Sequence, residues 1–155
     1  MSNKCSRPFL VWLLIIMHFF MGFGGVVSGG GLILSPDGKL LGMTVSILEG
    51  SPFPDYLIPG IVLFLFVGLY SVFAGISLLK LPVWICPDAV NPVKRYHWAW
   101  SASWASGVIM IIWIAVETIM LGYISFLQPF IFVWAVILIL LTVLSPVRRY
   151  CIRNN

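Results

Sequence analysis

Four apolar stretches constrain the fold of this chain more than any other feature, because each is long enough to cross the core of a bilayer. Such a core is about 30 Å thick and takes about 20 helical residues. The third and fourth stretches form one tract that must fold back at "GYISFLQP", where Gly122 ends a helix and Pro129 begins the next. The stretches predict helices over residues 9–27, 57–79, 98–121 and 129–146, with a loop over residues 28–56.

The predicted fold class is therefore all-α, a four-transmembrane-helix bundle with a structured extracytoplasmic loop between its first two helices. Composition agrees, since 61% of the residues are hydrophobic and 9% are charged, too few charges to cover a soluble domain. We expect a single integral membrane domain over residues 1–155. The first stretch is longer and bulkier than the core of a signal peptide, so we expect it to be retained, with cleavage as the alternative.

The basic residues predict the orientation, because lysine and arginine in short loops stay on the cytoplasmic side. Lys39 lies in the predicted outer loop, and the other eight fall on one side of a four-helix arrangement, so both termini are expected to be cytoplasmic. The net charge of +4 is explained by these anchors, and we expect membrane lipids and no nucleic acid as partners. The eight are Lys4, Arg7, Lys80, Lys94, Arg95, Arg148, Arg149 and Arg153.

The cysteines follow from this topology. Cys5, Cys86 and Cys151 all fall on the predicted cytoplasmic side, where thiols stay reduced. None of them forms a C-x-x-C pair, which argues against a membrane enzyme that forms disulfides.

The loop over residues 28–56 is too apolar to float in water, so we expect it to pack over the outer mouth of the bundle. "SPDG" predicts a tight turn, and the flanking "LIL" and "KLL" predict a short hairpin. "GMTVSILEG" predicts a short interfacial helix. The loop either closes the bundle or acts as a lid or partner-docking surface.

This loop also carries a resemblance. "GGGLILSPDG" and "LLGMTVSILEGSPFPDYLIPG" resemble a group of small bacterial membrane proteins with four helices, and the whole chain is similar in layout to DoxX-like proteins. The match covers mainly residues 22–62. The resemblance implies a protein of the bacterial cytoplasmic (inner) membrane, and it supplies no catalytic residues.

Small or polar residues recur on one face of each of the four predicted helices. These faces carry His18 on the first helix, Ser103, Ser106 and Glu117 on the third, and Gln128 and Thr142 on the fourth, and we expect the faces to point inward. In lipid, close packing of such residues and hydrogen bonds between helices drive association. We expect five glycines to mediate helix packing: Gly22, Gly25, Gly29, Gly68 and Gly75.

Two ionisable residues lie on the polar faces, and such residues are functional candidates by default. Counted at 1.5 Å per residue, His18 lies about 15 Å from the cytoplasmic edge, level with Ser71 and Ser106 in a midplane polar cluster. We expect a neutral imidazole bonded to a hydroxyl. A proton carrier, or a ligand to a quinone or metal, is the alternative.

Glu117 lies about 28 Å from the same edge by the same count, close to the outer boundary. Gln128, Lys39 and Tyr123 are its expected neighbours in a candidate polar pocket. Glu117 either ties the loop to the bundle or binds a cationic group or a proton there.

No spacing in the chain predicts a paired acid cluster, a nucleophile with its histidine, a metal-ligand set or a phosphate loop. We therefore expect no metal and no cofactor, and an enzyme is disfavoured. The first hypothesis is a non-enzymatic accessory or partner-binding subunit that binds another protein or forms a homo-oligomer. The alternatives are a small transporter or permeation subunit that uses Glu117 and His18, and a quinone-linked membrane redox subunit.

Overall fold

The computed structural model describes residues 7–152, which form helices and no strand. Three of the helices, α1, α2 and α4, are long and apolar enough to cross a membrane, and α5 is a shorter apolar helix. Lys4, Cys5 and Arg153 lie outside the described residues. The helices are α1 Phe9–Leu34, α2 Leu57–Lys80, α3 Ile85–Ala89, α4 Trp98–Leu121, α5 Leu127–Val143 and α6 Ser145–Tyr150.

Helix α1 runs seven residues beyond the predicted end at Val27. Its glycine-rich last turns stay helical because they pack directly on α2, and this contact offsets the low helix propensity of glycine. The hairpin predicted from "LIL" and "KLL" is therefore wrong: Leu32 to Leu34 belong to α1, and Lys39–Leu41 form a 3₁₀ turn. The loop is correspondingly shorter and spans residues 35–56.

Residues 35–56 fold back onto the end of the bundle. Tyr56, only 2% exposed, donates its hydroxyl to the Thr44 carbonyl at 2.8 Å and packs with Leu32 and Leu48. Gly38 adopts a φ of 77°, and a Cβ there would lie 2.9 Å from the Tyr56 ring. Glycine is thus needed at this turn both for its backbone conformation and for space.

Helix α4 ends as the sequence predicts, at Gly122, whose φ is 73°. Helix α5 begins two residues before Pro129 and ends three residues earlier than predicted, because Leu144 takes an extended conformation before the short helix α6. Proline in the first turn is compatible with a helix, since the backbone N–H groups there have no partner within the helix.

One end of the bundle gathers the ends of four helices. Arg7, just before α1, donates to the Tyr150 hydroxyl at 3.1 Å and to the Leu79 carbonyl at 2.8 Å. The His97 N–H, just before α4, donates to the Cys151 carbonyl at 2.7 Å. We call this the basic end, because the described basic residues other than Lys39 belong to it: Arg7, Lys80, Lys94, Arg95, Arg148 and Arg149.

Candidate functional site

Helices α1 and α2 touch backbone to backbone. A Cβ on Gly25 would lie 2.6 Å from the Gly68 nitrogen, and one on Gly29 would lie 2.5 Å from the Phe64 nitrogen. Both contacts fall on Leu63–Leu69, where α2 widens into a π-helix. Any side chain at these positions would push two helix backbones apart.

The other predicted packing glycines lie on the same interface. A Cβ on Gly22 would meet the Val72 side chain at 2.6 Å, and one on Gly75 would lie 3.2 Å from the His18 Cβ. The sequence-predicted glycine set therefore lies along the α1–α2 contact, and it continues toward the histidine in the centre of the bundle.

His18 lies in the centre of the bundle and is fully buried. Its Nε2 lies 2.8 Å from the Ser103 hydroxyl, and the Ser103 hydroxyl lies 2.9 Å from that of Thr142. Thr142 in turn donates to the Leu138 carbonyl at 2.8 Å. The three side chains therefore join α1, α4 and α5.

The Leu138 carbonyl, at the end of this series of hydrogen bonds, determines which group donates in each of them. Because Thr142 donates to the Leu138 carbonyl, its oxygen accepts the proton of Ser103, and Ser103 accepts from His18. The imidazole must then carry its proton on Nε2. Nδ1 has no hydrogen-bond partner within the described residues, as suits a lone pair better than a second N–H. His18 is thus held as one neutral tautomer.

The depth count predicts that His18 lies with Ser71 and Ser106, whereas the structure bonds His18 to Ser103. Ser71 and Ser106 bond to each other at 3.0 Å. Ser103 and Ser106 are three residues apart and so lie on one face of α4, one turn from each other. Counting residues along untilted helices does not determine which of the two turns faces α1.

The predicted pocket around Glu117 is only partly assembled. The Gln128 amide donates to a Glu117 carboxylate oxygen at 3.4 Å, a long contact, and to the Gly122 carbonyl at 3.1 Å. The Gln128 oxygen accepts from the Ile124 N–H at 2.9 Å. Gln128, 3% exposed, therefore mainly holds the turn between α4 and α5, and Glu117 on the last turn of α4 is partly exposed.

The structure does not bring Lys39 or Tyr123 to Glu117. Lys39 pairs with Asp37 at 2.8 Å, and this hydrogen bond raises the pKa of the Lys39 ammonium and, together with the Ser35 hydroxyl, lowers the pKa of Asp37 to about 2. The Tyr123 ring is 71% exposed. A local partner two residues away captures the lysine, so the predicted tie from loop to Glu117 is wrong in this respect.

The chemistry available to these residues is limited. Within residues 7–152, no group of three or more His, Cys, Asp and Glu side chains is placed to hold a metal ion. His18 and Glu117 lie on different levels of the bundle, with separate partners. The arrangement can tie helices together, and it leaves the carboxylate of Glu117 partly exposed at the end opposite to the basic end.

Sequence reasoning placed Ser103 and Thr142 on the inward faces of their helices but did not link them to His18. The signal for Ser103 was its spacing of three from Ser106 on a helix, which puts both hydroxyls on one face. It also missed the tryptophans at the start of α4, which form the wall of a groove considered below: Trp98, Trp100 and Trp104.

The chain was compared with protein-family models, with curated proteins and with solved structures. No family model matches the chain, and it matches neither a curated protein nor a solved structure.

Proposed function

We propose that this chain is a multi-pass membrane protein that acts as a non-enzymatic accessory or partner-binding subunit. The observation that carries the proposal is the closed polar centre. His18, Ser103 and Thr142 are each fully buried and bond in series to one another and to a backbone carbonyl. Polar groups that tie three helices together in this way serve cohesion, and a conduit or a reaction centre would need them accessible.

The proposal includes four membrane spans. Helix α5 has 17 residues and is therefore about 25 Å long, slightly less than a typical hydrocarbon core. It begins near Gly122, at the far end of α4, and it ends where Tyr150 and Cys151 meet the basic end. A helix that connects the two ends of the bundle beside three spanning helices is best explained as a fourth span.

The proposed orientation follows from the basic end. Since lysine and arginine favour the cytoplasmic side, both termini are placed in the cytoplasm and residues 35–56 outside it. The resemblance to small bacterial proteins of DoxX-like layout supports the bacterial inner membrane as the location.

Thiol labelling tests this orientation. Cys86 is exposed near the basic end, whereas Cys151 is buried and its pKa is raised to about 12 by burial, so Cys151 stays unreactive. In a Cys5→Ser background, we expect an impermeant maleimide to label Cys86 in inside-out vesicles and not in intact cells. A Lys39→Cys, Cys86→Ser variant should show the reverse pattern. Labelling of Cys86 from outside would overturn the orientation.

Composition of the purified particle tests the accessory role. We expect the chain, extracted from native membranes in mild detergent, to carry a second polypeptide or a second copy of itself in fixed stoichiometry. Glu117→Gln should leave that complex intact, because a glutamine oxygen can still accept from the Gln128 amide and the Trp113 side chain, the two hydrogen-bond donors beside Glu117.

A transport role would give a different result. The partly exposed carboxylate of Glu117 is the one observation that favours it. Proton-coupled flux through the purified chain in liposomes, abolished by Glu117→Gln and retained in a matched Glu49→Gln variant, would contradict the accessory role and support a permeation subunit.

A further inference from the structure

A large groove lies on the side of the bundle near the basic end, between α2, α4 and the connector formed by residues 81–97. Its volume is about 910 Å³, within the range of about 300–1,000 Å³ typical of small-molecule sites. Its walls are mostly aromatic and aliphatic, and they include Tyr70, Phe73, Val90, Trp98 and Trp104. The surface that the groove offers is therefore apolar.

The aromatic wall of the groove is preformed. Trp98 is 3% exposed, stacks on Phe73 with ring centroids 5.5 Å apart, and donates its indole N–H to the Pro82 carbonyl at 2.9 Å. The ring of Trp84, from the connector, also stacks on Trp98, with ring centroids 5.7 Å apart. These contacts hold the start of the connector against α2 and α4.

A buried amide holds the opposite wall. Asn91, 4% exposed, accepts from the Ser101 hydroxyl at 2.6 Å and donates to the Tyr96 carbonyl at 2.9 Å. Its oxygen also accepts from the Val93 N–H at 3.2 Å. Because every polar group of Asn91 named here is engaged with the protein, this wall offers its apolar side chains to an occupant.

The connector exposes large apolar side chains, which a loop in water would usually bury. Val83 and Ile85 are each 87% exposed, and Val90 is 81% exposed. Apolar side chains beside charged ones, on a segment at the end of a membrane bundle, are typical of a chain that lies in the lipid interface. The groove beside them would then open toward lipid.

Basic charge stands at the rim of the same groove. The Lys94 ammonium donates to the carbonyls of Asp88, at 2.6 Å, and Ala89, at 3.0 Å, directly before the wall residue Val90. Arg95 follows and is exposed. From Lys80 to His97 there are three lysines and arginines and one acid, so the rim favours an anion.

We propose that this groove binds an anionic phospholipid, with an acyl chain against the aromatic wall and the phosphate beside Lys94 and Arg95. The proposal rests on the membrane location given above and adds the class of ligand. The apolar walls, which are open to lipid, suit the acyl chain, and the basic rim suits the negative charge of the headgroup. It does not depend on whether a protein partner exists.

Native mass spectrometry of the chain, exchanged into mixed phosphatidylglycerol and phosphatidylcholine, tests the groove. We expect retained phosphatidylglycerol in preference to phosphatidylcholine. Ala105→Trp, which fills the groove from α4, should remove it, whereas Ala115→Trp on an exposed position of the same helix should not. Equal retention in both variants, or a retained quinone in place of lipid, would overturn the proposal.

The rim is tested separately. Lys94→Gln with Arg95→Gln should lower the preference for phosphatidylglycerol by about thirtyfold, as expected for two charges near an anionic surface, with Arg148→Gln, Arg149→Gln as the matched control. Inorganic phosphate should not compete. An unchanged preference, an equal loss in the control, or displacement by phosphate would contradict the headgroup assignment.

A measurement on the unmodified chain covers the case in which Ala105→Trp does not fold. Phosphatidylglycerol with brominated acyl chains should quench tryptophan fluorescence more than the phosphatidylcholine equivalent, and this difference should shrink when Trp104 is replaced by phenylalanine. Equal quenching by the two lipids would contradict the proposal. Flotation of the same vesicles shows separately whether the protein has inserted, so failure of the membrane assignment is distinguishable from failure of the lipid site.

Discussion

Gly25→Ala is expected to destabilise the protein strongly, although alanine is the better helix former. The added Cβ would lie 2.6 Å from the Gly68 nitrogen and 2.8 Å from its Cα, and backbone atoms cannot rotate away as a side chain can. Helices α1 and α2 must therefore separate along their contact. Overpacking of this kind costs about 1–3 kcal/mol or more, and we expect the upper part of that range.

The matched control is Gly24→Ala, one residue earlier on the same helix. A Cβ there meets nothing within 4 Å, so this variant gains helix propensity and loses no packing. We expect its stability to be unchanged or raised by about 0.5–1 kcal/mol. The free energy of unfolding in mild detergent or bicelles distinguishes the two. Equal stability of both variants would contradict the close α1–α2 contact.

Ser103→Ala is expected to produce the second large loss of stability. It removes the hydroxyl that links His18 to Thr142, so an imidazole N–H loses its acceptor in the centre of the bundle. An unsatisfied buried donor costs about 1–3 kcal/mol. The unfolding free energy measures this loss. Thr142→Ser, which keeps the hydroxyl, should recover most of the stability that Thr142→Val loses.

Ser106→Ala serves as the control for Ser103→Ala. It breaks the 3.0 Å bond between Ser106 and Ser71, but the Ser71 hydroxyl can turn to a carbonyl of its own helix. We therefore expect a loss of less than about 1 kcal/mol, in line with the modest average for hydrogen bonds between membrane helices. A larger loss for Ser106→Ala than for Ser103→Ala would place the important polar contact one turn away.

The starts of the three long helices were predictable from sequence, because hydropathy and flanking residues mark them clearly. The end of α1 was not. A run of glycines at residues 29–31 is typical of a helix end, yet here the helix continues through it, because Gly29 packs on the backbone of α2 where only glycine fits. Where α1 ends depends on its packing against α2, and the sequence of α1 alone carries no information about that packing.

For the candidate site, the sequence predicts which helix faces point inward. The polar faces identify the inward-facing side chains, since His18 on α1 and Ser103 and Ser106 on α4 are all buried. The choice of Ser103 over Ser106 depends on the tilt and crossing of helices, which the sequence pattern does not contain. Lys39 was predicted to reach Glu117, but its ammonium pairs with Asp37, two residues away along the chain, and a local pair of this kind needs no contact between the loop and α4.

Nitrogen NMR of His18 in bilayers tests most directly whether the polar centre is closed. With ¹⁵N-labelled histidine at neutral pH, and His97→Gln used to assign the signals, we expect one neutral ring with its proton on Nε2 and no exchange with water over hours. A mixture of tautomers, a protonated ring or rapid exchange would show that His18 reaches solvent or a ligand, and would contradict a purely cohesive polar centre.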